Sequence, residues 1–439
     1  MTTNAYALAF EDAEFVARTG HVREFLGLVI EADGPDAGVG EVCRIRGRGG
    51  VAQTLAEVVG IRDGRLVLMP YGDLAGIRLG SRVEALGRAS DLAVGPALLG
   101  RVIDGLGEPL DGKGPIAQET RYPLSPVARN PLERPRITEP LETGAAAVDL
   151  FTPLGRGQRI GIFSGSGVGK SVLLGMIARN TSADICVIAH IGERGREVSD
   201  FIADILGGEA LARSVVVAAT SDQSPLLRCR AALAATAIAE YFRDQGQHVL
   251  LTMDSVTRFA MAQREIGLAI GEPATARGYT PSVFAKLPLL LERGGPVPGG
   301  GSITGIYSVL VEADDLNDPI GDHIRAILDG HIVLSRDLAN QGHRPAIDLL
   351  KSQSRLADRV TSPKARAAAK RALALLDVYE AHRDVVQLGA YRSGSNRQLD
   401  RSLEFVPKLR ALVAQDVNDS TTAAETLAGL EAILARTDA

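Results

Sequence analysis

Short apolar runs separated by glycine-rich turns occupy most of the first hundred residues. Five such runs follow one another between residues 25 and 87: FLGLVIEA, GEVCRIRG, AEVVGI, GRLVLMPYG and RVEALG. Strands at a spacing of roughly ten residues, with turn signals between them, are typical of a small β-barrel or sandwich. We expect residues 1–95 to hold an N-terminal segment and a β-barrel.

A different rhythm begins near Ile160, where strand-sized apolar runs alternate with helical segments. The runs are RIGIFS, DICVIAHIG, SVVVAAT and HVLLTMD. This alternation predicts an α/β core with a parallel sheet and helices on both faces. We assign the core to residues 96–355. Six prolines between residues 115 and 141 predict an irregular connection within it.

Beyond Pro363 the chain is rich in alanine and leucine at helical spacing. In the last segment, Ala423, Leu427, Leu430 and Leu434 would share one helical face. Residues 356–439 are therefore expected to form a C-terminal α-helical domain.

The amino-acid composition argues against several classes of protein. The 439 residues include 48 Lys and Arg against 53 Asp and Glu, no Trp and only 4% aromatic residues. The acidic balance and the scarcity of rings disfavour a nucleic-acid-binding surface. No apolar run reaches the length of a membrane span, and the acidic N-terminal residues do not match a signal peptide. Three scattered cysteines favour neither a disulfide framework nor a zinc site, so we expect a cytoplasmic protein.

The first strand of the α/β region ends in the sequence SGSGVGKS, residues 164–171. Its glycines allow consecutive backbone amides to face an anion, and a helix starting near Lys170 adds the positive end of its dipole. Lys170 would reach the β- and γ-phosphates of a nucleotide, and the Ser171 hydroxyl would ligate Mg²⁺. Ser164 replaces the first glycine of the usual motif, and an ordinary glycine-rich turn is the alternative. The predicted nucleotide-binding residues here are Gly165, Ser166, Gly167, Val168, Gly169, Lys170, Ser171 and Val172.

Two carboxylates follow predicted buried strands and could complete such a site. Asp254 ends the run VLLTMD and is a candidate to hold Mg²⁺. Glu193 follows the run DICVIAHIG, at the end of a strand where catalytic groups of parallel sheets lie. It could polarise an attacking water, or it could simply stabilise the start of a helix.

These motifs, in this order, resemble the catalytic subunit of the rotary ATP synthase family. Residues 345–354, PAIDLLKSQS, fit the family signature P-[SAP]-[LIV]-[DNH]-x-x-x-S-x-S, and residues 101–115 and 313–320 resemble further family segments. The segments GERGREVSDF, ARGYTPSVFAKLPLLLERGG and DGHIVLSRDLANQGH are most similar to the ATPases of type III protein export. The sequence QLGAYRSGS, residues 387–395, favours the flagellum-specific branch of these ATPases.

The resemblance implies ATP as the substrate, with Mg²⁺, and assigns roles to several residues. Glu193 becomes the catalytic carboxylate, and Glu197 a structural one. Arg355, directly after the signature, becomes an arginine finger that reaches the nucleotide of a neighbouring subunit. Arg344 stands where relatives commonly place an aromatic against the adenine, and Tyr391 where they place a second one, so both are predicted to bind nucleotide.

The resemblance also implies partners and a location. We expect a homo-hexameric ring that associates with a regulatory stator-like subunit, a stalk protein, chaperone–cargo complexes and a membrane export gate. The expected location is cytoplasmic, peripheral at the inner membrane, without a specific nucleic acid. The first 20 residues, with Phe10, Ala13 and Ala17 on one face, could form an amphipathic helix that contacts the regulatory subunit, or a frayed end.

Three alternatives remain at this stage. The first is a virulence-type (injectisome) secretion ATPase. The second is a hexameric nucleic-acid translocase, for which Arg44, Arg46 and Arg48 are the basic residues to consider, although a solvated strand or turn explains them better. The third is a ring subunit that binds nucleotide without hydrolysing it, which the glutamate at position 193 argues against.

Overall fold

In this computed structural model, the residues described are 18–47, 52–125, 130–311 and 318–438. They form a β-barrel, a mainly parallel sheet covered by helices, and a helical C-terminal part, in that order. The predicted fold class is therefore confirmed. The predicted N-terminal helix with Phe10, Ala13 and Ala17 lies outside the described residues. No helix among those residues is long and apolar enough to cross a bilayer.

Six strands close the barrel in the order β1-β2-β5-β4-β3-β6. They are β1 Thr19–Leu26, β2 Val29–Asp33, β3 Glu41–Arg46, β4 Gln53–Arg62, β5 Arg65–Pro70 and β6 Arg82–Ala89. Alternate side chains fill the interior; in β4 these are Thr54, Ala56 and Val58. On β3, Arg46 pairs with Glu84 at 3.0 Å, as expected for a solvated strand.

One predicted strand of the barrel is in fact a hairpin. The run FLGLVIEA was expected to be continuous, but Gly27 turns the chain with a φ of +61° and joins β1 to β2. Most of β1 is polar and exposed, so the apolar pattern did not mark it. Turn chemistry at a single glycine decides the difference.

Among the described residues, thirteen further strands follow the barrel. They are β7 Asp91–Val94, β8 Arg101–Ile103, β9 Thr120–Pro123, β10 Pro140–Leu141, β11 Leu154–Gly155, β12 Arg159–Ser164, β13 Ile185–Glu193, β14 Ser214–Thr220, β15 His248–Asp254, β16 Gly295–Pro296, β17 Ser302–Leu310, β18 Gly330–Leu334 and β19 Ile347–Ser354. The central sheet runs in the order β19-β18-β12-β17-β15-β13-β14-β8, and only β19 is antiparallel along this path. Strand β16 pairs with β17 outside this path. Strand β7 pairs with β9, and β9 lies within the predicted proline-rich connection.

The helices cover both faces of the sheet and form the C-terminal part. They are α1 Ala146–Phe151, α2 Lys170–Asn180, α3 Gly195–Asp200, α4 Gly207–Ala212, α5 Pro225–Asp244, α6 Val256–Ala269, α7 Pro281–Leu291, α8 Pro319–Ile327, α9 Arg336–Asn340, α10 Ala357–Val360, α11 Pro363–Gln387, α12 Arg397–Val413 and α13 Ala423–Asp438. A π-helical segment, Phe201–Leu206, joins α3 to α4.

Strand β13 shows why the central runs are almost wholly apolar. Its odd-numbered residues, such as Val187 and Ala189, enter one core with α5 and α6. Its even-numbered residues, such as Cys186 and Ile188, enter the second core with α2 and the C-terminal helices. Because both faces are buried, the run shows no period-two alternation.

A buried ion pair links helix α5 to the segment that follows α7. Arg293 donates to both oxygens of Glu240, at 3.1 Å from Nε and 2.5 Å from Nη2, and also to the Leu124 carbonyl at 2.7 Å. Both side chains are nearly inaccessible, with exposed fractions of 3% and 11%. The cost of removing only one partner should therefore be large.

We predict that Arg293→Met destabilises the protein by about 3 kcal/mol, because the buried Glu240 carboxylate loses its main partner. Arg243, with Nη1 at 3.8 Å from Glu240, keeps the loss near the lower end of the usual range. Urea unfolding, monitored by circular dichroism, measures the change in the free energy of unfolding. The double variant Glu240→Leu/Arg293→Met should recover much of the loss, and an equal loss in the single and double variants would contradict this assignment.

Candidate active site

The phosphate loop joins β12 to α2 at the carboxyl edge of the sheet. Gly167 and Gly169 adopt φ values of +78° and +95°, a region that residues with a Cβ rarely enter. Val168, 3% exposed, anchors the loop in the core, whereas Ser166 and Gly167 face solvent. Gly169 is the N-cap of α2 and has no capping side chain, so the first amides of the helix remain available to an anion.

Lys170 and Asp254 meet across this edge. Lys170 Nζ lies 2.5 Å from Asp254 Oδ1, which also accepts a hydrogen bond from Ser308 Oγ at 2.7 Å. The two ionised side chains are 10% and 4% exposed. Burial of this pair fixes both groups where β12, β17 and β15 end side by side.

Glu193 completes the cluster from the end of β13. Its Oε1 lies 3.9 Å from Lys170 Nζ and is buried without a hydrogen-bond partner in the described part of the chain. Burial raises the pKa of Glu193 to about 7. The Asp254 charge and a side-chain hydrogen bond with Glu197 add to the rise, while the charges of Lys170 and Arg258 oppose it. A carboxyl with a pKa near neutrality and a vacant acceptor is suited to take a proton from water.

The donor set fits Mg²⁺ bound together with a nucleotide. The described residues contain no group of three or more His, Cys, Asp or Glu side chains that could cage a metal. Ser171 at the start of α2 and Asp254 offer a hydroxyl and a carboxylate oxygen. Mg²⁺ commonly takes few protein ligands and completes its shell with phosphate oxygens and water.

Two residues of the site were missed by sequence reasoning. Arg258 lies one turn after Asp254 on α6 and packs its side chain against Gly192, where an added Cβ would lie 3.0 Å from the Arg258 Cβ. Its charge lowers the pKa of Glu193, although not enough to offset burial. The available signal was its i+4 spacing from Asp254.

The second missed residue is His190, the register partner of Asp254 on β13. It is 4% exposed, and its ring packs edge-on against Phe201 with centroids 4.6 Å apart. Burial lowers the pKa of His190, which favours the neutral form of its ring. Within an apolar run, a single histidine gave no sign of its position beside the site.

Arg344 lies beside the phosphate loop. A Cβ added to Gly169 would lie 3.3 Å from Arg344 Nη1. The residue precedes β19, and its carbonyl accepts a hydrogen bond of 2.8 Å from the Gln415 amide in the C-terminal part. The structure thus brings Arg344 to the predicted nucleotide site.

Arg355 lies at the end of the sheet where the parallel strands begin, whereas the phosphate loop of its own chain lies at the end where they finish. Ser354 pairs with Gly330, at the start of β18, while the loop follows the end of β12. Along the strand direction, Arg355 and the phosphate loop are therefore separated by five strand residues, or about 16 Å. The exposed Arg355 is held by backbone bonding to Asp329, with an N–O distance of 2.9 Å.

Tyr391 does not reach the loop either. It lies in the turn between α11 and α12, and its hydroxyl donates to Asp400 Oδ1 at 2.9 Å. Gln415, which contacts Arg344, follows the other end of α12, a helix of 17 residues or about 25 Å. Within one chain, Tyr391 therefore lies away from the phosphate loop, and its contact with nucleotide stays a prediction.

The fold and the cluster at its edge are those of a P-loop nucleoside triphosphatase. Family models match in the same order as the structural parts: the β-barrel domain of the ATP synthase alpha/beta family over residues 22–87, its nucleotide-binding domain over 144–354, and the type III secretion EscN ATPase C-terminal domain over 361–432.

Full-length relatives give the more specific class. The chain is 48% identical over 440 residues to a flagellum-specific ATP synthase of Bacillus subtilis, covering 99% of each chain. It is 50% identical over 410 residues to a type 3 secretion system ATPase of Xanthomonas euvesicatoria, covering 93% and 92%. Its structure resembles the assembled ATPase EscN of the enteropathogenic E. coli type III secretion system, with a TM-score of 0.89 and 43% identity over 94% of this chain and 100% of that one. EscN in complex with its central stalk EscO gives a TM-score of 0.87 at 42% identity, with the same coverage.

The chain belongs to the family of type III export ATPases, within the ATP synthase alpha/beta superfamily. It is an ATPase of type III export, as the sequence motifs predict.

We predict that Glu193→Gln abolishes ATP hydrolysis and stabilises the nucleotide-free protein above neutral pH. The pKa of Glu193 is raised from 4.5 to about 7 by burial, so its ionisation costs stability as pH rises through that window. The gain in melting temperature over the wild type should therefore be larger at pH 8.5 than at pH 5.

The exposed Glu209 on α4 provides the matched control, because it does not contact Glu193. Glu209→Gln should retain hydrolysis and give the same small change in melting temperature at both pH values. A Glu193→Gln variant that is stabilised equally at pH 5 and pH 8.5 would refute the raised pKa.

Proposed function

We propose that this chain hydrolyses Mg²⁺–ATP as a homo-hexameric ring and thereby energises type III export of flagellar proteins. The observation that carries the proposal is the joint placement of Lys170, Asp254 and Glu193 at one edge of the sheet. A ring subunit that only binds nucleotide has no need for a buried carboxyl with a pKa near 7.

Each group has a distinct task in hydrolysis. The amides of residues 165–171 bind the phosphates, and Lys170 exchanges its bond to Asp254 for the β- and γ-phosphate oxygens. Ser171 and Asp254 would hold Mg²⁺, which when bound neutralises charge on those phosphates. Glu193 orients the attacking water and accepts its proton as the water oxygen bonds to the γ-phosphorus and the bond to ADP breaks.

The position of Arg355 supports a ring with sites between subunits. About 16 Å of strand separates it from the loop of its own chain, which favours a role at the nucleotide of another chain. In a head-to-tail contact, the phosphate-loop end of one subunit's sheet meets the Arg355 end of its neighbour's sheet. Repeated around an axis, this contact gives a closed ring. In such a ring each Arg355 is a finger for its neighbour, which stabilises charge in the transition state.

A mixing experiment tests this arrangement. Arg355→Ala should retain nucleotide binding and lose about 10³–10⁵-fold in turnover, whereas Lys170→Ala should lose both. When the two inactive variants are mixed, activity should return, because an Arg355→Ala chain then receives the finger of a Lys170→Ala neighbour. Random equimolar assembly makes about a quarter of the interfaces competent. Phosphate release is the measurement.

Arg359→Ala is the control for this experiment, because Arg359 is also exposed and lies one turn further along the chain, on α10. It should hydrolyse ATP like the wild type. A mixture of the two inactive variants that stays inactive, although the rings exchange subunits, would exclude catalysis across the interface.

The flagellar assignment has support from two sides. Several relatives at similar identity are flagellum-specific, among them the Bacillus subtilis protein, and the sequence QLGAYRSGS favours the same branch. The ATPase would release export substrates from chaperones and deliver them to the membrane export gate. Its partners would be a stalk protein, as EscO is for EscN, and a regulatory stator-like subunit. Its location would be cytoplasmic and peripheral at the inner membrane.

We predict that deletion of the gene abolishes flagella and swimming, and that Glu193→Gln on a plasmid fails to restore them. Swimming assays and electron microscopy of cells provide the measurement, with the Glu209→Gln variant as the complementing control. Normal motility together with loss of effector injection would assign the chain to the injectisome branch. Strong stimulation of the purified ATPase by poly(C) would instead favour a nucleic-acid translocase.

A further inference from the structure

The guanidinium of Arg344 lies beside Gly169 of the phosphate loop. Its Nη1 lies 3.3 Å from where a Cβ on Gly169 would be, beside the last residue of the loop before Lys170. Backbone amides and the start of helix α2 make this place attractive to an anion. An arginine here adds a full positive charge to the same region.

The backbone of Arg344 is fixed at the junction between the nucleotide-binding part and the C-terminal helices. The Gln415 backbone amide donates a hydrogen bond to the Arg344 carbonyl at 2.8 Å. The side chain of Gln415, itself buried, accepts from the Ala146 amide at 2.7 Å and donates to the Gly144 carbonyl at 2.9 Å. These bonds hold position 344 in place, while its side chain is exposed and can turn to a ligand.

The charge of Arg344 is not neutralised by the described residues. None of their carboxylates lies within ion-pair distance of it, whereas the nearby Arg410 pairs with Glu380 at 3.0 Å and covers the ring of Tyr379 at 5.6 Å. Tyr391, the ring predicted for the base, is bound to Asp400 at the far end of α12. The nucleotide therefore meets a free guanidinium at this position rather than an aromatic ring.

We propose that Arg344 is a specificity-determining residue that binds the phosphate chain, so that the site selects a nucleoside triphosphate by its phosphates and discriminates weakly among bases. This inference rests on the proposed function of the same site. Arginine forms paired, charge-assisted hydrogen bonds with phosphate oxygens. Those oxygens are identical in ATP, GTP, CTP and UTP, so they carry no information about the base.

Two measurements on the purified full chain test the proposal. Steady-state kinetics should give kcat/KM values for ATP, GTP, CTP and UTP within about fivefold of one another, since one charged contact serves all four. Competition by inorganic triphosphate against a fluorescent nucleotide should give an affinity that falls about tenfold or more in Arg344→Tyr, because a charge-assisted contact is lost. The same variant should raise the ratio of kcat/KM for ATP to that for CTP about tenfold, since a ring prefers the larger purine face. Arg344→Lys should retain most of the triphosphate affinity.

Arg397→Tyr is the matched control, because it makes the same change of charge at an exposed site at the far end of α12. It should leave both measurements as in the wild type. Unchanged triphosphate affinity in Arg344→Tyr, or a strong preference of the wild type for ATP over CTP, would overturn the inference and point to stacking of the guanidinium on the base. A wild type that hydrolyses no triphosphate would refute the proposed function, while the competition measurement would still decide the role of Arg344.

Discussion

Parallel pairing of β12, β17, β15 and β13 is the constraint on which the site depends. Parallel strands bring their carboxyl ends to one edge, so residues far apart in sequence, Lys170, Glu193 and Asp254, converge there. The buried bond between Lys170 and Asp254 holds this edge together in the absence of nucleotide. It also sets the electrostatics of Glu193, because burial and the Asp254 charge raise the pKa of that carboxyl while Lys170 lowers it.

The same sheet supports the proposal that another chain completes the site. Strand β19 runs antiparallel to β18, so Arg355 at its end points to the edge opposite the phosphate loop. At that position Arg355 lies about 16 Å along the strand direction from the phosphate loop of its own chain. If Arg355 is the proposed finger, catalysis depends on assembly of the subunits. The hydrogen bond between the Gln415 backbone amide and the Arg344 carbonyl then connects the predicted nucleotide site to the C-terminal helices.

Sequence reasoning located the groups that belong to short, self-contained motifs. The phosphate loop, Asp254 and Glu193 were found because each directly follows a buried strand. Arg258 and His190 were missed because one follows Asp254 by a helical turn and the other is hidden in an apolar run. Tyr391 lies in the turn before α12, whereas Gln415 and Arg344 lie at the other end of this helix, which is about 25 Å long, so the role of Tyr391 at the base stays a prediction.

By itself, the sequence determined the chemistry: a glycine-rich loop before a lysine, carboxylates at strand ends, and an arginine after the signature PAIDLLKSQS. These are local features, since spacing along the chain fixes the backbone conformation and the identity of each group. Only the tertiary structure decided which groups share a site. Strand order and direction brought Arg344 to the loop and sent Arg355 to the opposite edge, because the distance between two residues in a sheet depends on register and polarity rather than on their separation in sequence.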